Sequence, residues 1–351
     1  MDRHVIDLPR KVVVGRGVIG EVGGYASQLY ARGSSILVVT GPRVYSLYYP
    51  RVRQSLEEAG FSVESVVIID ATVDTAEKVA SQARESGVRA LVGLGGGRSI
   101  DIAKYASSHA GAGLISLPTV ASHDGITSPF ASLKGFDRPI SRRAKPPDII
   151  ILDVDVISKA PRRYNIAGFG DLIGKFTAVR DWRLAHKLRG EYYGEYAASL
   201  ALMSARHVAS YAREIGLGTT EGYRVLLEAL VSSGVAMCIA GSSRPASGSE
   251  HLFAHALSII AKRKPLHGEA VGVGTIMMSY IHGMKWRRIK RLMQEAGAPT
   301  TAREIGVEDE EVIEALVLAA KIRPERYTIL GEKGLTRDAA EKVAKDTGVI
   351  I

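Results

Sequence analysis

The segment from Leu91 to Lys104, LVGLGGGRSIDIAK, most restricts the folds open to this chain. An apolar run is followed by four glycines in five positions and then by a helical pattern that begins near Ser99. Glycine lets backbone amides approach a ligand closely, and the positive end of the following helix favours a negative charge. The segment predicts a strand, a phosphate-binding turn and a helix. A tight strand–helix turn without any ligand is the alternative. The candidate phosphate contacts are Gly95, Gly96, Gly97, Arg98 and Ser99.

Strands and helices alternate in the first part of the chain. Apolar or β-branched runs typical of buried parallel strands lie at 11–14, 35–40, 62–69, 90–94, 114–117 and 149–152, and helical patterns at 17–32, 51–59 and 76–86. This order predicts an α/β fold over residues 1–161, with a doubly wound, mostly parallel sheet that carries a nucleotide-binding turn. Residues 162–351 show only helical periodicity, which predicts a second, all-α domain.

A loop of small residues follows the predicted strand at 114–117. Thr119 and Ser122 in this loop offer hydroxyl groups to the same ligand, because the carboxyl ends of parallel strands meet at one edge of the sheet. His123 and Asp124 come next and Ser128 lies further along. An Asx turn explains Asp124 equally well.

The end of the second predicted strand bears on the choice of cofactor. It reads Thr40-Gly41-Pro42-Arg43 and lacks the acidic residue that often binds the adenosine ribose 2′-hydroxyl of NAD. Arg43 could instead meet a 2′-phosphate. We therefore expect NADP to be accepted as readily as NAD.

Three histidines lie close together in the helical half. His251 and His255 are four residues apart in an apolar-periodic run, so both project from one face of a predicted helix. The segment 262–265, KRKP, predicts the end of that helix, and a new helix is predicted to begin around His267. A catalytic zinc ion takes three protein ligands and leaves one position open. The alternative is that these are ordinary helix histidines with hydrogen-bond partners.

Asp171 is the candidate for a carboxylate ligand beside the histidines. It follows Gly168 and Gly170 in a segment where apolar and small residues alternate, so its carboxylate is expected to be buried and to need a partner. A metal ion is one such partner, and a helix N-cap role is the other. With His251 and His267 it would complete a set of ligands suited to zinc.

Composition limits the remaining possibilities. The chain has 351 residues, of which 46% are hydrophobic and 24% charged, as in ordinary globular proteins. Its net charge of +9 favours an anionic partner such as a phosphate ester, a dinucleotide or a nucleic acid. A single cysteine, Cys238, excludes an intramolecular disulfide framework and fits a cytoplasmic protein. No membrane-spanning segment is predicted.

Five segments, read in order, resemble a known family. GGGRSIDIAK, LPTVASHDGITSP, GFGDLIGK, SGSEHLFAHAL and LHGEAVGVG resemble the archaeal sn-glycerol-1-phosphate dehydrogenases. These enzymes belong to the superfamily of iron-containing alcohol dehydrogenases and dehydroquinate synthase. The likeness spans nearly the whole chain, and it implies the dehydroquinate synthase-like fold.

The resemblance implies reversible reduction of dihydroxyacetone phosphate to sn-glycerol 1-phosphate with NAD(H) or NADP(H), in archaeal ether-lipid synthesis. It implies that Asp171, His251 and His267 bind Zn²⁺. It also implies substrate contacts from Asp124, Asp171 and His255, of which Asp171 and His255 would have catalytic roles. The implied cofactor contacts are Gly97, Arg98, Ser99, Ile100, Asp101, Thr119, Val120, Ala121, Ser122 and Ser128.

Several points stay open at this level. Lys134 and Lys175 are weak candidates for contacts to the substrate phosphate. The proton needed by the reduced ketone could come from metal-bound water or from His255. A zinc-dependent glycerol dehydrogenase, a dehydroquinate synthase-like enzyme and, from another class, a basic nucleic-acid-binding protein are the alternatives. We expect a homo-oligomer that acts on a small molecule and binds no nucleic acid.

Overall fold

The computed structural model describes residues 4–135 and 140–351. The chain divides into two compact units, Met1–Pro161 and Arg162–Ile351, and each is described by itself.

The first unit is built on a six-stranded sheet in which every pair of neighbours is parallel. The strand order is β1-β8-β5-β4-β2-β3. Apolar β-branched residues make these strands suited to a sheet that is buried on both faces. The strands of the unit are β1 Lys11–Gly15, β2 Ser35–Thr40, β3 Ser62–Val67, β4 Ala90–Gly95, β5 Gly113–Pro118, β6 Phe130–Leu133, β7 Ile140–Arg143 and β8 Ile149–Asp153.

Helices cover both faces of this sheet. Along β2, Ile36 and Val38 pack into one apolar cluster while Leu37 and Val39 pack into another, because successive side chains of a strand point to opposite faces. The doubly wound arrangement is thereby confirmed. The helices of the unit are α1 Val22–Ala26, α2 Pro42–Glu58, α3 Val73–Glu85, α4 Gly97–Ala110 and α5 Val154–Ser158.

Two details of the first unit differ from the prediction. Helix α2 begins at Pro42, although the pattern predicted a start near Arg51, and it runs through Pro50. The strands β6 and β7 form an antiparallel hairpin that was not predicted. In addition, helix α4 begins at Gly97, two residues before the predicted start.

The second unit contains helices and no strand over 162–351, all of which the structure describes. The all-α prediction is therefore confirmed. Its helices are α6 Arg162–Ile173, α7 Lys175–Arg189, α8 Glu195–Ser210, α9 Ala212–Leu217, α10 Thr220–Ala240, α11 Ser249–Ile260, α12 His267–Ile281, α13 Trp286–Glu295, α14 Ala302–Ile305, α15 Asp309–Ile322 and α16 Arg337–Asp346.

Among the described residues, only α10 is long and apolar enough to pass a length-and-composition test for a membrane span. Most of its apolar window, 67%, is buried inside the structure. Leu226, Leu227 and Leu230 are all fully buried, which is the pattern of a helix in a protein core.

Helices α11 and α15 pack antiparallel. At one end, the backbone N–H of Lys262, just after α11, donates to Oε1 of Glu311 in the first turn of α15 over 2.9 Å. At the other end, Nη1 of Arg326, four residues beyond α15, donates to the carbonyl oxygen of Ser247, just before α11, over 2.5 Å. These two contacts fix the segment after α15 beside the start of α11.

Candidate metal centre and cofactor turn

Three helices of the second unit bring Asp171, His251 and His267 together. Asp171 lies near the end of α6, His251 in the first turn of α11, and His267 is the first residue of α12. One potential ligand atom from each residue lies within 4.8 Å of the others. Nε2 of His251 is 3.4 Å and Nε2 of His267 is 3.8 Å from Oδ1 of Asp171.

A backbone contact between two glycines sets this geometry. A Cβ atom on Gly170 would lie 2.2 Å from the carbonyl oxygen of Gly268, and one on Gly268 would lie 1.8 Å from the carbonyl oxygen of Ala167. Both distances are far below van der Waals contact, so only glycine permits so close a crossing of α6 and α12. Since Asp171 follows Gly170 and His267 precedes Gly268, this contact brings their side chains together.

Glu250 orients the imidazole of His251. Its Oε1 lies 2.8 Å from Nδ1 of His251, and its other oxygen accepts a hydrogen bond from Oγ1 of Thr177 over 2.6 Å. A carboxylate only accepts hydrogen bonds, so Nδ1 carries the proton and the lone pair of Nε2 points toward Asp171. Burial alone would raise the pKa of Glu250, but the hydrogen bond and charge of His251, together with the hydrogen bonds from Thr177 and Gly248, outweigh it, and the pKa lies below its usual value.

Lys175 holds the carboxylate of Asp171 in place. Its Nζ lies 3.1 Å from Oδ2 of Asp171 and donates to the carbonyl oxygen of Ala246 over 3.3 Å, and its side chain is fully buried. Burial would raise the pKa of Asp171, but the charge of the Lys175 ammonium and the neighbouring imidazoles of His251 and His267 together outweigh it, so the pKa lies well below its usual value. Asp171 is therefore ionised. Since the ammonium of Lys175 is already engaged here, it is a poor candidate for the substrate phosphate.

His255 stands beside the other two imidazoles. Its ring centroid is 6.4 Å from that of His251 and 5.7 Å from that of His267. Burial, followed by the charges of His267 and His251, lowers the pKa of His255 well below its usual value. A neutral imidazole offers one donor and one acceptor nitrogen.

The donor set fits a zinc ion. Two imidazole nitrogens and one carboxylate oxygen are ligands that zinc prefers, and two ligand atoms on one tetrahedral ion lie roughly 3.4 Å apart. The observed 3.4 and 3.8 Å separations from Oδ1 of Asp171 are close to this value. The carboxylate of Glu250 accepts a hydrogen bond from Nδ1 of His251, as is usual for a histidine that binds a metal through its other nitrogen. The side chain of His267 is 40% exposed, so the group remains accessible on that side.

In the first unit, the glycine turn meets the loop that follows β5. The strands β4 and β5 are neighbours, and Gly95 is paired with Pro118 at their ends. Gly95 has a φ of 147°, which favours glycine, and its carbonyl oxygen accepts a hydrogen bond from the backbone N–H of Thr119 over 3.0 Å. The first turn of α4 has no side-chain cap, so its N–H groups suit an anion.

His123 lies against the start of α4. A Cβ atom on Gly97 would be 2.2 Å from Nε2 of His123, and Nδ1 of this ring accepts a hydrogen bond from the backbone N–H of Gly125 over 2.9 Å. Only glycine at position 97 leaves room for this ring. The two predicted cofactor segments are thus in contact.

Lys104 ties the loop to α4 from inside. Its fully buried Nζ donates to the carbonyl oxygens of Gly125 and Phe130 over 2.6 and 2.7 Å, and it lies 3.5 Å from Oδ1 of Asp101. Burial raises the pKa of Asp101 although Lys104 opposes the shift.

The other predicted cofactor residues share the same region. Nη1 of Arg98 donates to the carbonyl oxygen of Ile69 over 2.7 Å, and a Cβ on Gly96 would lie 3.3 Å from Val120. Several of the group are buried, namely Ser99, Ile100, Thr119, Ala121 and Ser128, whereas Ser122 is half-buried, and the predicted substrate contact Asp124 is also buried.

Sequence reasoning missed Glu250, Lys104 and Arg326. Glu250 directly precedes His251, and an acid beside a candidate ligand is a usable signal. Lys104 is three residues from Asp101 in a helix, a spacing that permits an ion pair. Arg326 carries no signal in the sequence, because its neighbours are brought together only by the packing of α11 and α15.

Comparisons with known proteins agree with this architecture. The sequence model of the iron-containing alcohol dehydrogenase family matches residues 13–161. The glycerol-1-phosphate dehydrogenase, NAD(P)+, of Aeropyrum pernix is 71% identical over 347 residues, which cover 99% of this chain and 99% of the relative. The enzyme of the same name from Hyperthermus butylicus is 56% identical, with 99% of each chain covered.

Solved structures share the fold at much lower identity. A glycerol dehydrogenase from Schizosaccharomyces pombe superimposes with a TM-score of 0.82 at 21% identity, over 99% of this chain and 91% of that one. The structural likeness is that of the fold, whereas the high-identity relatives identify the enzyme. This chain belongs to the NAD(P)-dependent glycerol-1-phosphate dehydrogenases, a family of oxidoreductases within the iron-containing alcohol dehydrogenases.

Proposed function

We propose that the chain reduces dihydroxyacetone phosphate reversibly to sn-glycerol 1-phosphate, with a zinc ion held by Asp171, His251 and His267. The observation that carries the proposal is the convergence of these three side chains within 4.8 Å in a chain that is 71% identical to a glycerol-1-phosphate dehydrogenase. Archaeal ether-lipid synthesis would use the product.

When bound, the zinc ion supplies positive charge that stabilises the negative charge developing on the ketone oxygen, and NADH or NADPH supplies the hydride. The chain's own residues hold and orient these groups. Asp171 is fixed by Lys175, and His251 presents Nε2 because Glu250 binds its Nδ1. His255, whose ring lies beside both histidine ligands, is the proposed contact to a substrate oxygen and a candidate proton carrier.

The cofactor is proposed to bind to the first unit. Gly97 to Asp101 would contact it at the start of α4, Thr119 to Ser122 and Ser128 would contact it from the neighbouring loop, and Asp124 would meet the substrate. Support comes from the uncapped start of α4 and from the hydrogen bond between Thr119 and Gly95.

A cytoplasmic location fits the single buried Cys238. The homo-oligomer stays a prediction, which light scattering would test.

Steady-state assays with three substrates test the proposal. The protein should contain about one zinc per chain. It should reduce dihydroxyacetone phosphate and lose this activity on chelation. Oxidation of glycerol with no activity on the phosphate would favour a glycerol dehydrogenase. A redox-neutral cyclisation would identify a dehydroquinate synthase-like enzyme. Salt-sensitive retention of DNA by metal-free, inactive protein would favour the nucleic-acid-binding alternative.

A further inference from the structure

A group of arginines lies beside the start of α11. Arg326 donates from Nη1 to the carbonyl oxygen of Ser247 and from Nη2 to Oγ of Ser243, the latter over 2.8 Å. Ser247 is four residues before His251, so these bonds hold the guanidinium of Arg326 next to the helical turn that carries a proposed zinc ligand. His255 lies one turn further on the same face.

Among the described residues, Arg326 forms no direct hydrogen bond or ion pair with a carboxylate, although the charges of Glu191 and Glu325 act on it from further away. A guanidinium carries five N–H groups. The bonds to Ser247 and Ser243 use one each from Nη1 and Nη2. A half-buried guanidinium whose direct hydrogen bonds go only to a carbonyl and a hydroxyl is costly to bury, and an incoming anion would offset this cost.

The neighbouring Arg244 differs from Arg326 in this respect. The buried Arg244 binds both carboxylate oxygens of Glu191, with Nε 2.6 Å from Oε1, and its Nη1 donates to the carbonyl oxygen of Tyr327 over 2.9 Å. Burial, followed by the charges of Arg323 and Arg244, lowers the pKa of Arg326 to about 9. The charges of Arg323 and Arg244 therefore oppose the Arg326 cation more strongly than those of Glu191 and Glu325 favour it.

The charges of Arg323 and Arg326 also act on His255, the candidate substrate contact. Arg323 and Arg326 are among the groups that lower the pKa of His255, after burial and the two adjacent imidazoles. Every residue in this description belongs to the second unit, and the hydrogen bonds of Arg326 and of Lys262 fix the relevant helix ends.

We propose that Arg326, with Arg323 beside it, binds the phosphate of the three-carbon substrate and so distinguishes dihydroxyacetone phosphate from dihydroxyacetone. The inference rests on the proposed function and deepens it. A guanidinium suits a phosphate because its planar set of donors binds two oxygens at once. No bond is made or broken here, since Arg326 acts as a specificity determinant and leaves the chemistry to the residues at the metal site.

The test compares the two ketones in the zinc-loaded protein. Arg326→Gln should lower kcat/KM for dihydroxyacetone phosphate roughly 10- to 100-fold more than kcat/KM for dihydroxyacetone, because only the phosphate uses the charge. Arg326→Lys should recover part of the loss. Calorimetric titration with inorganic phosphate should show binding to the unaltered protein and much weaker binding to Arg326→Gln.

Arg224→Gln is the matched control, because Arg224 lies on the exposed side of α10 and pairs with Glu221 and Glu228. It should leave the ratio of the two kcat/KM values unchanged. An equal loss for both ketones in Arg326→Gln would mean that Arg326 merely supports the loop before α11, and the inference would be wrong. Failure of the unaltered protein to reduce dihydroxyacetone phosphate would instead refute the proposed function itself.

Discussion

Nδ1 of His251 lies 2.8 Å from Oε1 of Glu250, the residue that directly precedes it in the chain. The two side chains meet because Glu250 also binds the backbone N–H of Gly248 and the hydroxyl of Thr177, which hold its carboxylate at the start of α11. A proposed metal ligand is thus oriented by its own neighbour in sequence.

Replacing Glu250 with Gln should weaken zinc binding about 10- to 100-fold, because the amide is a poorer acceptor and no longer favours the tautomer with Nδ1 protonated. Competition with a fluorescent chelator would measure the change. Glu304→Gln is a suitable control, since Glu304 caps α14 elsewhere in the unit. An unaltered zinc affinity would show that Glu250 serves only to start the helix.

Two histidine variants should have different effects. His267→Ala should remove both the metal and turnover while leaving the fold largely intact, because the residue is 40% exposed at the start of α12. His255→Ala should keep the metal and lose turnover. Zinc analysis, circular dichroism and kinetics on both variants would check this. Metal loss in His255→Ala would mean that the roles of His251 and His255 have been exchanged.

A bulky residue at position 97 should impair cofactor binding. In Gly97→Val the new Cβ would need the space of the His123 ring, 2.2 Å away, at the start of α4. The KM for NADH should therefore rise far more than the KM for the ketone. Gly24→Ala is the control, because a Cβ at Gly24 meets nothing within 4 Å. Equal KM values for the cofactor in Gly97→Val and in the unaltered protein would show that the glycine turn does not bind the cofactor.

Lys104→Met should destabilise the first unit by about 3–5 kcal/mol, because it leaves a buried carboxylate at Asp101 and two carbonyl oxygens without their donor. Adding Asp101→Asn should restore part of the loss, since the uncompensated charge disappears. Urea unfolding of the single and double variants would measure both effects. A double variant no more stable than Lys104→Met would show that the ion pair contributes little.

Arg43→Gln should raise the KM for NADPH about tenfold and leave that for NADH nearly unchanged, if Arg43 meets the 2′-phosphate of the cofactor. Arg43 is exposed in the first turn of α2. Arg53→Gln, further along the same helix and paired with Glu57, provides the comparison. Failure of the unaltered protein to use NADPH at all would contradict the expectation drawn from the end of β2.

Much of the fold could be predicted from periodicity because its strands are short apolar runs between polar helices. The start of α2 could not, since Pro50 suggests a helix boundary. In the structure, the burial of Tyr49, Val52 and Leu56 against the sheet keeps the helix continuous through the proline. Tertiary packing therefore overrides the local preference.

In the candidate sites, sequence spacing predicts which residues share a face of one helix. It does not predict which residues of different helices come into contact. His251 and His255 are four apart, so their common face could be predicted. The position of Arg326 beside Ser247 depends on how α11 and α15 pack, which no local pattern encodes.

The direct contact of Gly170 with Gly268 limits how the second unit can be re-engineered. Since main chain touches main chain there, no side-chain rearrangement can change the separation of the two backbones that carry Asp171 and His267. Moving these two backbones apart would require α6 or α12 to shift as a whole, along with everything packed against it. Directed evolution toward other metals should therefore succeed through exchanged donor atoms on the existing backbone, and seldom through an expanded cavity.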